Sequence, residues 1–251
     1  MDYPLWAPKG NYTLLQDSNG IVIYDKDGKR IDIRGSNPEW APSSSLLAYK
    51  SGKTGNPEIA ELAGNSIKDT HPGPAISYTE LEFSQDSSKI AYIESDGEKY
   101  SLHIADSHFG NIEGLLQSER AITNLRWHDN TLFFERQGIY KIEDKKMSSM
   151  ISGGNMSFEI SRNGKSILVN QYDKLYVMDL KTGNEELVAV PENGSIGNAI
   201  FTPDGHNVFY TVSLEHGIDA YLFNLKGQRT KLVSSLCSDF QSSDCYVQEM
   251  K

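Results

Sequence analysis

The chain has 251 residues, of which 38% are hydrophobic and 23% charged, a composition typical of a folded protein and not of a disordered one. Its net charge of −10 and its pI of about 5.1 disfavour duplex DNA, RNA and anionic membrane surfaces as partners, because all of these carry negative charge. No apolar run is long enough to span a bilayer, and Met1 to Pro8 lacks the basic and apolar segments of a signal peptide. We therefore expect no nucleic-acid partner and no membrane insertion.

One unit recurs along the whole chain: an apolar or aromatic anchor, then a turn, then a strand of alternating character. The copies are WAPKGNYTLL from Trp6, WAPSSSLLAY from Trp40, FSQDSSKIAY from Phe83, WHDNTLFF from Trp127, ISRNGKSILV from Ile160 and FTPDGHNVFY from Phe201. The anchors recur roughly every 40 residues, which is the usual length of one four-stranded propeller blade.

Each anchor is followed by a predicted third strand and a tight turn. The third strands are predicted at residues 21–24, 58–61, 101–104, 139–142, 175–178 and 220–223. The turns mostly contain glycine, as in Asp27-Gly28 and Gly183-Asn184, and a short fourth strand closes the unit. Alternating strands with turn signals at this density predict an all-β fold.

A short polar side chain closes the third strand in four copies, at Asp25, Asp106, Asp179 and Asn224. Side chains of this kind accept hydrogen bonds from the backbone amides of the following turn. We therefore interpret these residues as turn formers and not as catalytic carboxylates. The segment Pro203-Asp204-Gly205 has the same turn chemistry.

The last two copies carry the most specific pattern. FTPDGHNVFY followed by YLFNLKGQRTKLV, and ISRNGKSILV followed by LYVMDLKTGNEELV, resemble the PD40 (WD40-like) repeats of the TolB-like propeller family. The resemblance extends from Trp6 to about Val233 and implies a six-bladed β-propeller of four-stranded antiparallel blades. In that family the propeller is often joined to a small α/β domain or to a serine peptidase domain, and neither has a counterpart among these residues.

We predict one propeller domain over residues 1–233 and a C-terminal tail over residues 234–251. Cys237 and Cys245 lie in this tail on either side of a polar stretch. Their spacing favours a disulfide over a redox or zinc motif. The alternative is that both are reduced thiols. A disulfide indicates a periplasmic or secreted protein. We expect the tail to pair with blade one as a closing strand; otherwise it hangs free, held by the disulfide.

Propellers bind ligands by default at the mouth of the channel, where the innermost strands meet the loops between second and third strands. The polar residues predicted to lie there as ligand-binding residues are Tyr3, Asn37, Glu39, Glu80, Glu82, Asn124, Arg126, Arg136, Glu159, Tyr172, Asn198 and His216. Together they suit a peptide, a protein or a small polar ligand, although solvated strand ends have the same composition. Glutamates near the axis suit a cation, but Arg126 opposes one, and we predict no metal.

Catalytic motifs are absent from the sequence. The segment Gly194-Ser195-Ile196-Gly197 lacks the spacing of a nucleophile elbow, and the six histidines show no paired metal-ligand spacing. We therefore predict a monomeric, non-catalytic binding or scaffold module without a cofactor. A hydrolase or lyase with its active site at the central channel is the alternative, suggested by the cluster of Glu39, Glu82, Glu159 and Arg126. A scaffold fragment of a longer chain is the third interpretation.

Overall fold

The computed structural model describes residues 4–154, 156–215 and 217–236, and side chains only as far as residue 232. These residues form 24 β-strands. Among them there is no helix, and so no helical segment long and apolar enough to cross a membrane. The all-β prediction is confirmed.

The chain divides into two compact units, Met1–Met150 and Ile151–Lys251. Four antiparallel sheets begin in the first unit. The first two consist of β1 (Leu5–Trp6), β2 (Tyr12–Asp17), β3 (Gly20–Asp25) and β4 (Arg30–Ile33), and of β5 (Gly35–Trp40), β6 (Leu46–Ser51), β7 (Pro57–Ala63) and β8 (Ser66–Pro72). The next two consist of β9 (Tyr78–Phe83), β10 (Lys89–Ser95), β11 (Tyr100–Asp106) and β12 (Glu113–Ser118), and of β13 (Thr123–His128), β14 (Thr131–Glu135), β15 (Gly138–Glu143) and β16 (Lys146–Ser152).

The second unit contains two more antiparallel sheets. They consist of β17 (Met156–Ile160), β18 (Ser166–Gln171), β19 (Lys174–Asp179) and β20 (Glu185–Ala189), and of β21 (Ser195–Phe201), β22 (Asn207–Leu214), β23 (Gly217–Asn224) and β24 (Gln228–Leu236). In all six sheets the strands lie side by side in chain order. The protein is a six-bladed β-propeller, as the repeats predict, and the predicted third strands fall within β3, β7, β11, β15, β19 and β23.

Hydrophobic cores lie between consecutive blades within each unit. On β10 of blade three, Ile90 and Tyr92 pack into the core shared with blade two, whereas Ala91 and Ile93 pack into the core shared with blade four. Because both faces of such a strand are buried, its sequence is a continuous apolar run and not an alternation of apolar and polar residues. The apolar character of the second strands therefore follows from the stacking of the blades.

The first blade departs from the repeat in the packing of its anchor. Trp6 is 66% exposed, whereas the anchors Trp40 and Phe83 are buried. The strand that carries Trp6, β1, has only two residues and pairs with β2 over those two positions alone. The predicted disulfide between Cys237 and Cys245 and most of the predicted tail lie outside the described residues, and the closing strand stays a prediction. The last described strand, β24, ends at Leu236.

The turns after the third strands form as predicted. Asp106 Oδ1 accepts hydrogen bonds from the amides of His108 at 3.0 Å and Gly110 at 2.7 Å, which lower the pKa of its carboxyl group. In this turn the positive φ angles belong to Phe109 and Asn111, not to the glycine. Gly110 is required for a different reason: a Cβ at this position would collide with Asp106 Oδ2.

Asp86 stabilises the turn that follows the anchor of blade three. Its Oδ1 accepts hydrogen bonds from Ser84 Oγ at 2.7 Å and from the Ser88 amide at 3.0 Å, and these bonds lower the pKa of the carboxyl group to about 2. A depressed pKa in the folded state means that this group stabilises the fold above its ordinary pKa, and that the contribution disappears as the pH falls toward 2.

We therefore expect Asp86→Asn to be less stable than the parent by about 1 kcal/mol at pH 6, a modest value because solvent screens an exposed carboxylate. The difference should shrink between pH 4 and pH 2, as measured by urea unfolding across that range. Glu192→Gln, at an exposed site, serves as the control. A difference between parent and Asp86→Asn that does not change with pH would contradict the prediction.

Candidate functional site

The structure places most of the predicted ligand-binding residues on the innermost strands. These are Asn37 and Glu39 on β5, Glu80 and Glu82 on β9, Asn124 and Arg126 on β13, Glu159 on β17 and Asn198 on β21. Arg136 and Tyr172 lie in the turns between β14 and β15 and between β18 and β19. Tyr3 and His216 lie outside the described residues. Ligand binding by this set stays a prediction.

The asparagines of this set lie at irregularities of the innermost strands. Asn37 and Asn124 have φ angles of 53° and 55°, and each lies where the pairing with the next strand shifts register. A register shift also spans Asn198. Asparagine adopts the left-handed backbone conformation more readily than other non-glycine residues. A β-bulge is therefore sufficient to account for asparagine at the first two of these positions.

Side-chain oxygens of one blade bind backbone amides of the next blade's innermost strand. We call this contact the blade-to-blade clasp. Its donor–acceptor pairs are the Asn37 amide to Gln16 Oε1 at 3.0 Å, the Asn124 and Leu125 amides to the two oxygens of Glu80 at 2.8 Å each, the Ile196 amide to Asp173 Oδ1 at 3.0 Å and the Phe201 amide to Glu159 Oε2 at 3.1 Å. Two residues predicted to bind ligand, Glu80 and Glu159, thus also join neighbouring blades.

The carboxyl groups of Glu135 and Glu80 lie near the start of blade four and interact through their charges. Burial raises the pKa of Glu135, and the negative charge of Glu80 raises it further. The guanidinium of Arg126 donates to its own strand, from Nη1 to the Leu125 carbonyl oxygen at 2.7 Å. The sequence did not single out Glu135, because it lies at the end of a second strand and belongs to no motif.

A cleft of about 400 Å³ opens where the chain passes from blade three to blade four. It is lined by Ser118, Glu119, Arg120, Arg136, Gln137 and Tyr140. Of these, Arg136 belongs to the predicted set. Ser118, Glu119 and Arg120 were missed because the link at the end of β12 has no recurring pattern across the repeats. Gln137 and Tyr140 belong to the repeat, in the turn after β14 and on β15, and no motif distinguishes them.

Local contacts hold the two arginines of this cleft in place. Arg120 donates from Nη1 to Gln137 Oε1, and its amide donates to Ser118 Oγ at 3.0 Å. The guanidinium carbon of Arg136 lies 4.8 Å from the centre of the Tyr140 ring, a cation–π contact.

The Tyr140 ring itself is held from the core side. It stacks on Phe134, with ring centres 5.6 Å apart and an angle of 17° between the planes. Phe134 is fully buried in the core shared by blades three and four. The position of Arg136 therefore depends on core packing as well as on its own turn.

The cleft can bind an anionic group. A guanidinium offers several N–H donors in a planar fork that matches a carboxylate, and Arg120 and Arg136 supply two such groups beside an aromatic face. The two arginines bring positive charge to this cleft, although the whole chain has a net charge of −10. Glu119 in the same lining favours a ligand that also carries a hydrogen-bond donor or a positive group.

No protein-family profile matches the sequence, and no curated protein sequence matches it. Solved structures do match the fold. An oligogalacturonate lyase in complex with manganese is similar with a TM-score of 0.68 and 14% identity, over 90% of this chain and 74% of that one. The β-propeller domain of the trilobed protease from Pyrococcus furiosus is similar with a TM-score of 0.62 and 19% identity, over 89% and 80% of the two chains.

TolB from Acinetobacter baumannii is also similar, with a TM-score of 0.53 and 17% identity, over 90% of this chain and 61% of that one. At these identities the likeness shows the fold alone. The chain is thus a six-bladed β-propeller with the fold found in a lyase, in a protease domain and in TolB.

Proposed function

We propose that this protein is a non-catalytic binding module and that the cleft of blade four receives an anionic group, a carboxylate above all, of a peptide, protein or small polar ligand. The observation that carries the proposal is the pair of arginines, Arg120 and Arg136, held at one cleft by Gln137 and Tyr140. A site whose donors are already positioned loses less entropy on binding than one with free side chains. The fold is shared with TolB, and this likeness assigns no role.

Isothermal titration calorimetry with hexaglutamate, hexalysine and trigalacturonate tests this proposal. The net charge of −10 repels acidic ligands in general, so a preference for hexaglutamate or trigalacturonate over hexalysine requires a local basic site. We expect this preference, and we expect it to weaken as salt is added. A preference for hexalysine would contradict the proposal.

Replacing Arg136 with alanine should weaken binding of the preferred acidic probe by about 10-fold or more, because a charge-assisted hydrogen bond and the contact with Tyr140 are lost. Arg136→Lys should lie between the parent and Arg136→Ala, since a lysine keeps the charge and loses the planar fork. Arg162→Ala removes the same charge from an exposed site in the second unit and should bind as the parent does. Equal affinity of Arg136→Ala and the parent would rule out this cleft.

A lyase or hydrolase acting on an acidic sugar is the second candidate. It is favoured by the raised pKa of Glu135 beside Glu80, since a carboxyl group whose pKa lies above its ordinary value is better suited to general acid–base catalysis, and by the fold shared with an oligogalacturonate lyase. A lyase should convert trigalacturonate, in the presence of manganese, into an unsaturated sugar with ultraviolet absorbance, whereas a hydrolase should add water and release new reducing ends without that absorbance. Glu135→Gln should abolish either product. If the parent protein produces neither, this candidate fails for that substrate.

We further propose that the protein is a monomer in the periplasm or outside the cell. The support for the location is the pair Cys237 and Cys245 in the sequence, since a disulfide persists in an oxidising compartment. Mass spectrometry of the non-reduced native protein tests the cysteines, and two free thiols would count against the location. Analytical ultracentrifugation tests the monomer.

A further inference from the structure

Two histidines and one glutamate meet between blades two and three, away from the cleft of blade four. Glu61 lies on β7, His71 on β8 and His108 in the turn between β11 and β12. One potential ligand atom from each side chain lies within 4.8 Å of the others. The histidine rings are 4.2 Å apart, edge to face. Sequence spacing does not reveal this cluster, because its members come from different blades.

The backbone explains why these side chains meet. In the pairing of β7 with β8, Glu61 lies opposite Asp69 and His71 lies opposite Ile59, so Glu61 and His71 are diagonal neighbours on one face of the sheet. The chain after β8 then packs against the turn that carries His108. A Cβ on Gly73 would lie 2.8 Å from the ring of Phe109, so only glycine permits this approach.

One polar atom of the cluster has no hydrogen-bond partner. Nε2 of His71 is buried and has no hydrogen-bond partner among the described residues, and Oε2 of Glu61 lies 4.0 Å from it, beyond hydrogen-bond distance. A buried polar atom without a partner is costly and calls for an explanation. An ion between His71 and Glu61 would supply the missing partner.

The remaining contacts leave ligand atoms available. Nδ1 of His108 lies 3.3 Å from Oγ of the buried Ser107, and with Nδ1 as donor the other ring nitrogen carries the lone pair that binds a metal. Lys68 binds Glu61 through Oε1 at 2.6 Å, so Oε2 faces His71 without losing that ion pair.

We propose that Glu61, His71 and His108 bind a divalent transition-metal ion of the zinc class. Two imidazoles and one carboxylate are a known ligand set for zinc, with water in the fourth position. Tetrahedral ligands at zinc–nitrogen distances lie about 3.4 Å apart, so small rotations of the two histidine side chains bring the atoms from their present separation into the coordination sphere. Nitrogen ligands favour zinc over manganese or magnesium.

The test is a titration of tag-free, chelator-treated full-length protein with zinc chloride, followed by calorimetry and by thermal unfolding. We expect zinc to bind and to raise the melting temperature, and magnesium chloride to do neither. His71→Ala and His108→Ala should each weaken zinc binding by about 100-fold, and Ser107→Ala by about 10-fold. His206→Ala, which removes an exposed histidine outside the cluster, should bind as the parent does.

Cobalt substitution separates this site from the cysteines of the tail. Binding through His71 and His108 should give visible cobalt bands that His108→Ala removes, without the near-ultraviolet band of a cobalt–thiolate bond. Because His108 is exposed, its replacement should leave the fold intact even if His71→Ala does not. Failure of the parent to bind zinc, unchanged affinity in His108→Ala, or a thiolate band that accounts for all the bound cobalt would overturn the proposal.

Discussion

Replacing Glu80 with alanine is expected to lower the free energy of unfolding by about 2–4 kcal/mol, because two backbone amides lose their acceptor at once. The Asn124 and Leu125 amides each donate to Glu80 at 2.8 Å, and both bonds are partly buried. Both amides lie on β13, the first strand of blade four, so the loss falls on the contact between blades three and four. Urea unfolding measures the effect.

Graded variants identify the cause. Glu80→Gln keeps one acceptor oxygen and should lose about half as much stability as Glu80→Ala, whereas Glu192→Ala at an exposed site should change it by less than about 0.5 kcal/mol. Glu80→Gln should also move the pKa of Glu135 toward its ordinary value, since the negative charge that raises it is gone while burial remains. A carboxyl NMR titration of Glu135 measures this shift. Unchanged stability in Glu80→Ala would show that the blade-to-blade clasp between blades three and four contributes nothing.

Removing the ring of Phe134 should have the largest effect on stability, about 3–5 kcal/mol for Phe134→Ala. The side chain is fully buried between blades three and four, and its removal leaves a cavity that the surrounding strands cannot fully close. The variant should also bind the acidic probe more weakly, because Tyr140 loses the ring on which it stacks and Arg136 loses a fixed support.

Two comparisons keep this prediction specific. Phe134→Leu retains most of the volume and should lose less stability than Phe134→Ala. Leu187→Ala removes an apolar side chain that is 53% exposed and should have little effect on unfolding or on binding. If Phe134→Ala unfolds at the same urea concentration as the parent, the packing described for blade four is wrong.

The sequence predicted the fold far better than the site. Blade number, third strands and turn residues such as Asp106 repeat along the chain, so each copy supports the others. The cleft and the histidine cluster do not repeat. Arg120 lies in a link of irregular sequence, and His71 meets His108 only because two blades stack. Contacts that depend on stacking cannot be inferred from spacing along one chain.

The two asparagines of the predicted site at positions 37 and 124 have a structural explanation, a β-bulge, that local sequence rules could have suggested. Asparagine at positions 37 and 124 is consistent with a bulged strand, and a bulge within an innermost strand requires no ligand. The acceptor function of Glu80 could not be inferred in this way, because its partner amides lie in the next blade.

The division of β10 between two cores limits how this protein can change in length. Inserting one residue into that strand would exchange its two faces, sending Ile90 and Tyr92 toward blade four and Ala91 and Ile93 toward blade two. Both cores would then be wrongly filled, one overpacked and the other left with voids. Insertions and deletions that the fold tolerates should therefore concentrate in the turns, and differences in length among related propellers are expected at the turns and not within the strands.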